Sequence, residues 1–104
     1  MNEGVLSKMT ELLREAARPA MIILFGSHAR GDAREDSDVD VLVVEEEVAD
    51  RQTEMVRLLR VLSPLRMPVD LLVVSKDRFS YWCDVPGNIY FHAAEEGRVL
   101  YEAA

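Results

Sequence analysis

Three aspartates and a glycine-serine pair are the residues of this chain whose types and spacing could do chemistry. Asp38 and Asp40 stand two apart at the start of an apolar run, Val39 to Val44. Side chains alternate along a strand, so both carboxylates would share one face, with Val39 and Val41 on the other. Two like charges side by side repel, and a divalent cation is their natural compensation. Mg2+ takes oxygen ligands and is commonly held by one or two carboxylates together with substrate phosphates. The alternative is an exposed strand edge with two solvated aspartates. Asp70 lies inside Val69-Asp70-Leu71-Leu72-Val73-Val74, where an unpaired carboxylate among apolar residues is costly. Either it pairs with a cation such as Arg66, or it joins Asp38 and Asp40 from an adjacent strand. Such a cluster could hold two Mg2+ ions, the arrangement that serves in-line displacement at phosphorus. Gly26-Ser27 follows the apolar run Met21 to Phe25. A glycine there lets the backbone come close to a ligand, and the amides of a helical turn starting at Ser27 would be donors for a phosphate. A plain turn is the alternative.

The elements that must position these residues follow from periodicity. Val5, Leu6, Met9, Leu12, Leu13 and Ala16 fall on one helical face, and Pro19 ends that helix. Met21 to Phe25 and Val39 to Val44 read as buried strands, the second rich in β-branched residues. Glu45, Glu46 and Glu47 read as a solvated strand end. Asp50 suits the N-cap of a helix whose inner face carries Met55, Leu58, Leu59, Leu62 and Leu65, with Pro64 and Pro68 around its end. Val69 to Val74 is the third strand. Ser75 can cap a helix over Lys76 to Trp82, Pro86 suits the first turn of another, and Gly97 suits its end. Arg98 to Tyr101 reads as a short edge strand. This order predicts an α/β (α+β) fold, a small mixed sheet flanked by helices, formed by residues 1–104 as one domain.

Composition narrows the function. The 104 residues hold 12 Lys and Arg against 19 Asp and Glu, a net charge of -7. Broad nucleic-acid binding, which needs many cations on phosphates, is not expected. Ten of the cations are arginine, the better residue for a bidentate grip on phosphate or carboxylate. Cys83 is the one cysteine, so neither an intrachain disulfide nor a cysteine zinc site is expected. The start, Met-Asn-Glu-Gly, lacks a basic region followed by an apolar run, and no apolar stretch nears the roughly 18 residues of a membrane span. A cytoplasmic protein with no membrane partner is expected.

Gly26-Ser27, ten intervening residues, Asp38-Val39-Asp40-Val41, and then Asp70 on a later apolar strand resemble the polymerase-β-type nucleotidyltransferase superfamily. The fuller string Gly26-Ser27-His28-Ala29-Arg30-Gly31 with Ser37-Asp38 is similar to its minimal nucleotidyltransferase (MNT) branch, and the likeness covers nearly the whole chain. The resemblance implies the polymerase-β-like fold. It implies that Gly26 and Ser27 hold a triphosphate tail, that Asp38 and Asp40 ligate two Mg2+ ions, and that Asp70 binds the catalytic metal and helps to deprotonate the acceptor. Arg30 could brace a phosphate or lie on the surface. Ser37 could cap its loop or touch the metal site. Chains of this size resemble the antitoxin of HEPN–MNT toxin–antitoxin pairs, which transfers AMP from ATP to a tyrosine of the HEPN ribonuclease. A non-catalytic toxin-binding subunit, and transfer to a small molecule or RNA end with a separate acceptor-binding subunit, are the alternatives.

Other residues have plainer readings. His28 is expected to be a surface or phosphate-side histidine, and His92 a packing or surface residue. Tyr81, Trp82, Tyr90 and Phe91 are expected to pack in the core, with a partner interface as the alternative.

Overall fold

The computed structural model describes residues 3–104. In chain order it has α1 (Glu3–Ala17), β1 (Met21–Phe25), α2 (Gly26–Arg30), β2 (Val39–Glu45), α3 (Arg51–Leu62), β3 (Val69–Ser75), α4 (Lys76–Trp82), α5 (Ile89–Glu96) and β4 (Arg98–Glu102), with a 3-10 turn at Ser63–Leu65. The four strands form one mixed sheet in the order β3-β2-β1-β4. β1 runs antiparallel to β2 and β4, whereas β2 and β3 are parallel and joined through α3. The expected α/β architecture is therefore present.

Alternation along the strands sorts two apolar layers. Val39, Val41 and Val43 of β2, with Leu71 and Val73 of β3, pack under Leu6, Met9 and Leu13 of α1 and Leu58 and Leu62 of α3. On the other face Leu42, Val44 and Val74 pack under Phe79 of α4 and Ala93 of α5. A sheet covered on both faces needs near-continuous apolar strands, which is what β1 and β2 supply. Three helix starts, those of α3, α4 and α5, are capped by a side chain. The Asp50 carboxylate accepts from Thr53 N–H at 3.0 Å, Ser75 Oγ accepts from Arg78 N–H at 3.3 Å, and Asn88 Oδ1 accepts from Tyr90 and Phe91 N–H at 2.9 and 3.1 Å. Such caps contribute about 1 kcal/mol each.

Several local expectations are corrected. Asn88, not Pro86, sets the start of α5, and Pro86 lies in the turn before it. α3 ends at Leu62 and gives way to the 3-10 turn, so Leu65 is outside the helix, and Leu59 points outward. The aromatic region divides. Tyr90 packs edge-on against Phe79, while Tyr81 and Trp82 meet each other edge-on at the surface. Gly97 follows α5 as expected. Among the described residues no helix is long and apolar enough to cross a membrane.

Glu45 departs furthest from the sequence expectation. It is not a solvated strand end but a buried residue at the close of β2, with Oε2 sealed from solvent and without a hydrogen-bond partner among the described residues. Burial, then the adjoining Glu54 carboxyl, pushes Glu45 up to about 8, so it keeps its proton at neutral pH. Glu54 is held down to about 2, first by Arg57, which grips it with bonds of 2.7 and 2.8 Å. The two acids titrate as a pair. Glu45 supports the fold fully below its ordinary value of 4.5, and loses that support as pH rises toward 8. Glu54 supports it above 4.5 and loses that support as pH falls toward 2. Chemical denaturation should therefore show this pair's contribution greatest near pH 4.5 and falling toward pH 8, by at most about 1.4 kcal/mol per pH unit, the limit for one proton. Glu45→Gln, neutral at every pH, should flatten that decline. A mutant with the same slope as the parent would contradict the assignment.

Candidate active site

The site forms where β1 ends and β2 and β3 begin. β1 turns into α2 at Gly26, whose φ of +72° is a left-handed conformation that favours glycine. There is a second reason for glycine. In the register of β1 and β2, Phe25 lies opposite Asp40. A Cβ on Gly26 would overlap Asp40 Oδ2 and lie 3.0 and 3.2 Å from Asp40 Cγ and Cβ. The close approach expected at Gly26 is thus an approach to the carboxylate of Asp40, which the missing side chain leaves room for.

Asp40 and Asp70 are register partners on the parallel strands β2 and β3. Alternation puts both on the face of Leu42, Val44, Leu72 and Val74. They are neighbours across the starts of the two strands, since paired strands lie about 4.8 Å apart. Asp38 falls one residue before β2, so strand alternation does not fix its side chain, and it is exposed. Asp70 is exposed too, on an edge strand, so burial is not what makes its carboxylate costly. Among the described residues no ion pair joins it to Arg66. The half-buried acid is Asp40. Its carboxyl is raised above the usual range first by burial, then by the charges of Asp70 and Asp38, against the opposing pull of His28 and Arg30. Asp40 thus senses the charge of both other acids, although among the described residues the three do not close into a ready-made metal cluster.

The remaining residues sit around this group. α2 begins without a side-chain cap, and Ser27 is half-buried at its start. The Ser27 carbonyl accepts from Gly31 and Asp32 N–H at 3.0 and 3.1 Å, which closes the turn. Arg30 is exposed and bonded to Asp32 at 3.3 Å, with Glu96 3.9 Å away. Ser37 works within its loop, where its Oγ accepts from Arg34 N–H at 2.8 Å and its N–H donates to Arg34 O at 3.0 Å. His28 is half-buried rather than a surface residue, and its Nε2 lies 3.2 Å from Ser37 O. A cavity of about 270 Å³ opens beside them, lined by His28, Arg34, Ser37, Val39, Leu65 and Met67 among others.

The donor set suits a hard divalent cation, since it offers carboxylate oxygens whose repulsion is only partly offset. Among the described residues no three acids converge into a ready-made cage. One or two carboxylates completed by substrate phosphates is the arrangement that Mg2+ commonly accepts. A double-mutant cycle tests the packing of Gly26 on Asp40. Gly26→Ala should cost about 1–3 kcal/mol of unfolding free energy through backbone strain and overlap. The cost should shrink in an Asp40→Ala background, where the overlapped carboxylate is gone. An equal cost in both backgrounds would show that the contact is not felt.

Comparison with known proteins gives the family and the fold. Residues 6–99 match the nucleotidyltransferase domain family. The protein adenylyltransferase MntA of Thermococcus cleftensis is 41% identical over 75 residues, 70% of this chain and 74% of that protein. Two solved structures share the fold. One is a toxin–antitoxin complex with AMP-PNP, with a TM-score of 0.69 and 22% identity over 94% of this chain and 73% of that one. The other is a tri-AMPylated Shewanella oneidensis HEPN toxin in complex with MNT antitoxin, with a TM-score of 0.64 and 21% identity over 99% of this chain and 74% of that one. Nucleoside triphosphate and a divalent metal go with such membership in general. The chain belongs to the nucleotidyltransferase domain family.

Proposed function

We propose that the chain is a Mg2+-dependent protein adenylyltransferase that moves AMP from ATP to a tyrosine of a HEPN ribonuclease and so acts as its antitoxin. The observation that carries this reading is the registered pair Asp40 and Asp70, joined by Asp38, at the strand end where Gly26 and Ser27 open α2. The likeness to MntA, and to chains in complexes of MNT antitoxin with HEPN toxin, supports the choice of acceptor. The net charge of -7 suits a protein acceptor better than a nucleic acid. Residues 1–104 act as one catalytic domain, and ATP with a ribonuclease partner places the reaction in the cytoplasm.

In this reading the first amides of α2, at Gly26 and Ser27, bind the triphosphate, and Arg30 exchanges its contact with Asp32 for a phosphate. Asp38, Asp40 and Asp70 hold two Mg2+ ions. When bound, the metals offset the charge of the triphosphate and of the displacement at phosphorus. The tyrosine oxygen attacks the α-phosphorus, the bond to the β-phosphate oxygen breaks, and pyrophosphate leaves. Asp70, exposed and free of any ion pair among the described residues, takes the phenolic proton. Ser37 contributes by holding its loop. Positioning and charge stabilisation are the main sources of rate in such transfers.

Labelled ATP distinguishes this from the alternatives. With Mg2+ and the HEPN partner, label should appear on a tyrosine of the partner. Asp38→Asn with Asp40→Asn should reduce it by about a hundredfold or more without changing the fold by circular dichroism. Binding of the partner without label would make the chain a non-catalytic subunit, and label on RNA or a small molecule instead would replace the acceptor.

A further inference from the structure

Of the three acids, Asp38 is the one that strand pairing does not hold. Asp40 and Asp70 lie in registered strands, and Asp40 is also packed on Gly26. Asp38 ends the loop that leaves α2 at Gly31. The near end of that loop is tied by Gly31 and Asp32 N–H to Ser27 O. Its middle is a turn closed on itself between Arg34 and Ser37. After Asp38, Val39 N–H donates to Pro68 O at 2.9 Å. Before Asp38, the Ser37 carbonyl meets His28 Nε2 at 3.2 Å. Among the described residues that contact is the hydrogen bond that joins residues 33–38 to α2.

We propose that His28 is a positioning residue, whose ring pins the Ser37 carbonyl and so fixes where Asp38 presents its carboxylate beside Asp40. A carbonyl oxygen only accepts, so Nε2 carries the hydrogen and donates it. The two backbone anchors, at Ser37 and Val39, then flank Asp38 on either side. Without the first, Asp38 sits at the end of a loop held from one side. Loss of a group that orients a metal-binding residue typically weakens metal affinity ten- to a hundredfold. The inference rests on the proposal that Asp38 binds a cation, but not on which acceptor is modified.

Glutamine reaches with an amide N–H close to where His28 Nε2 lies, whereas leucine fills similar space with no donor. The test compares wild type, His28→Gln and His28→Leu by Mn2+ titration, with free Mn2+ read by electron paramagnetic resonance, and by hydrogen exchange at the Asp38 amide. His28→Leu should bind Mn2+ at least about tenfold more weakly and exchange faster at Asp38. His28→Gln should restore both, with all three proteins melting alike. In AMP transfer, His28→Leu should raise the Mg2+ concentration needed for half-maximal rate more than it lowers the rate at saturating Mg2+. Wild-type Mn2+ affinity in His28→Leu overturns the proposal, as does His28→Gln binding as weakly as His28→Leu. If no variant labels a HEPN partner but the Mn2+ order holds, the positioning role stands and the acceptor assignment fails.

Discussion

The register of β2 on β3 is the constraint on which the rest depends. Asp40 faces Asp70 because Val39 pairs with Val69 and each following residue keeps step as far as Glu45 and Ser75. A slip of one residue would turn Asp70 to the other face of the sheet. The register is strongly specified because both faces are covered. Val41, Val43, Leu71 and Val73 must lie under α1 and α3, and Leu42, Val44 and Val74 under α4 and α5. The apolar core thus fixes the alignment of two carboxylates that would separate if they were free to do so.

β2 carries an acid near each end, and the two are accommodated differently. Glu45 sits in the layer under α3, where a neutral carboxyl is the stable form beside Glu54 and Arg57. Asp40 is only half-buried, and its raised carboxyl comes from partial burial together with the charges of Asp70 and Asp38. The first acid is settled inside the fold by a proton. The second keeps part of its surface open to solvent, beside two other acids, where we propose that a cation binds. The same physical conflict, a carboxylate near others of its kind, is resolved by a proton at one end of the strand and, in the function we propose, by a cation at the other.

Much of this was legible in the sequence because it is local. Strand alternation, the caps at Asp50 and Ser75, and the spacing of Asp38 and Asp40 involve neighbours along the chain. The missed features depend on pairing between distant segments. Glu45 reads as part of a charge run, and only the packing of α3 over β2 buries it. Asp70 reads as a carboxylate in an apolar strand, but strand order puts it on an open edge. The fit of Gly26 against Asp40 and the reach of His28 to Ser37 cross a strand pair and a loop, and no periodicity reports either. Asn88 replaced Pro86 as the start of α5 because a side-chain cap with two backbone partners outweighs a residue that is merely tolerated there.

The central claim is that the register of β2 and β3 assembles a cation site from Asp38, Asp40 and Asp70. Its most direct test is crystallographic, with Mn2+ and a non-hydrolysable ATP analogue and anomalous scattering to locate the metal. The account predicts Mn2+ bound to carboxylate oxygens of this group and to phosphate oxygens lying at the start of α2. Mn2+ bound elsewhere, with these three carboxylates left free of metal, would contradict it.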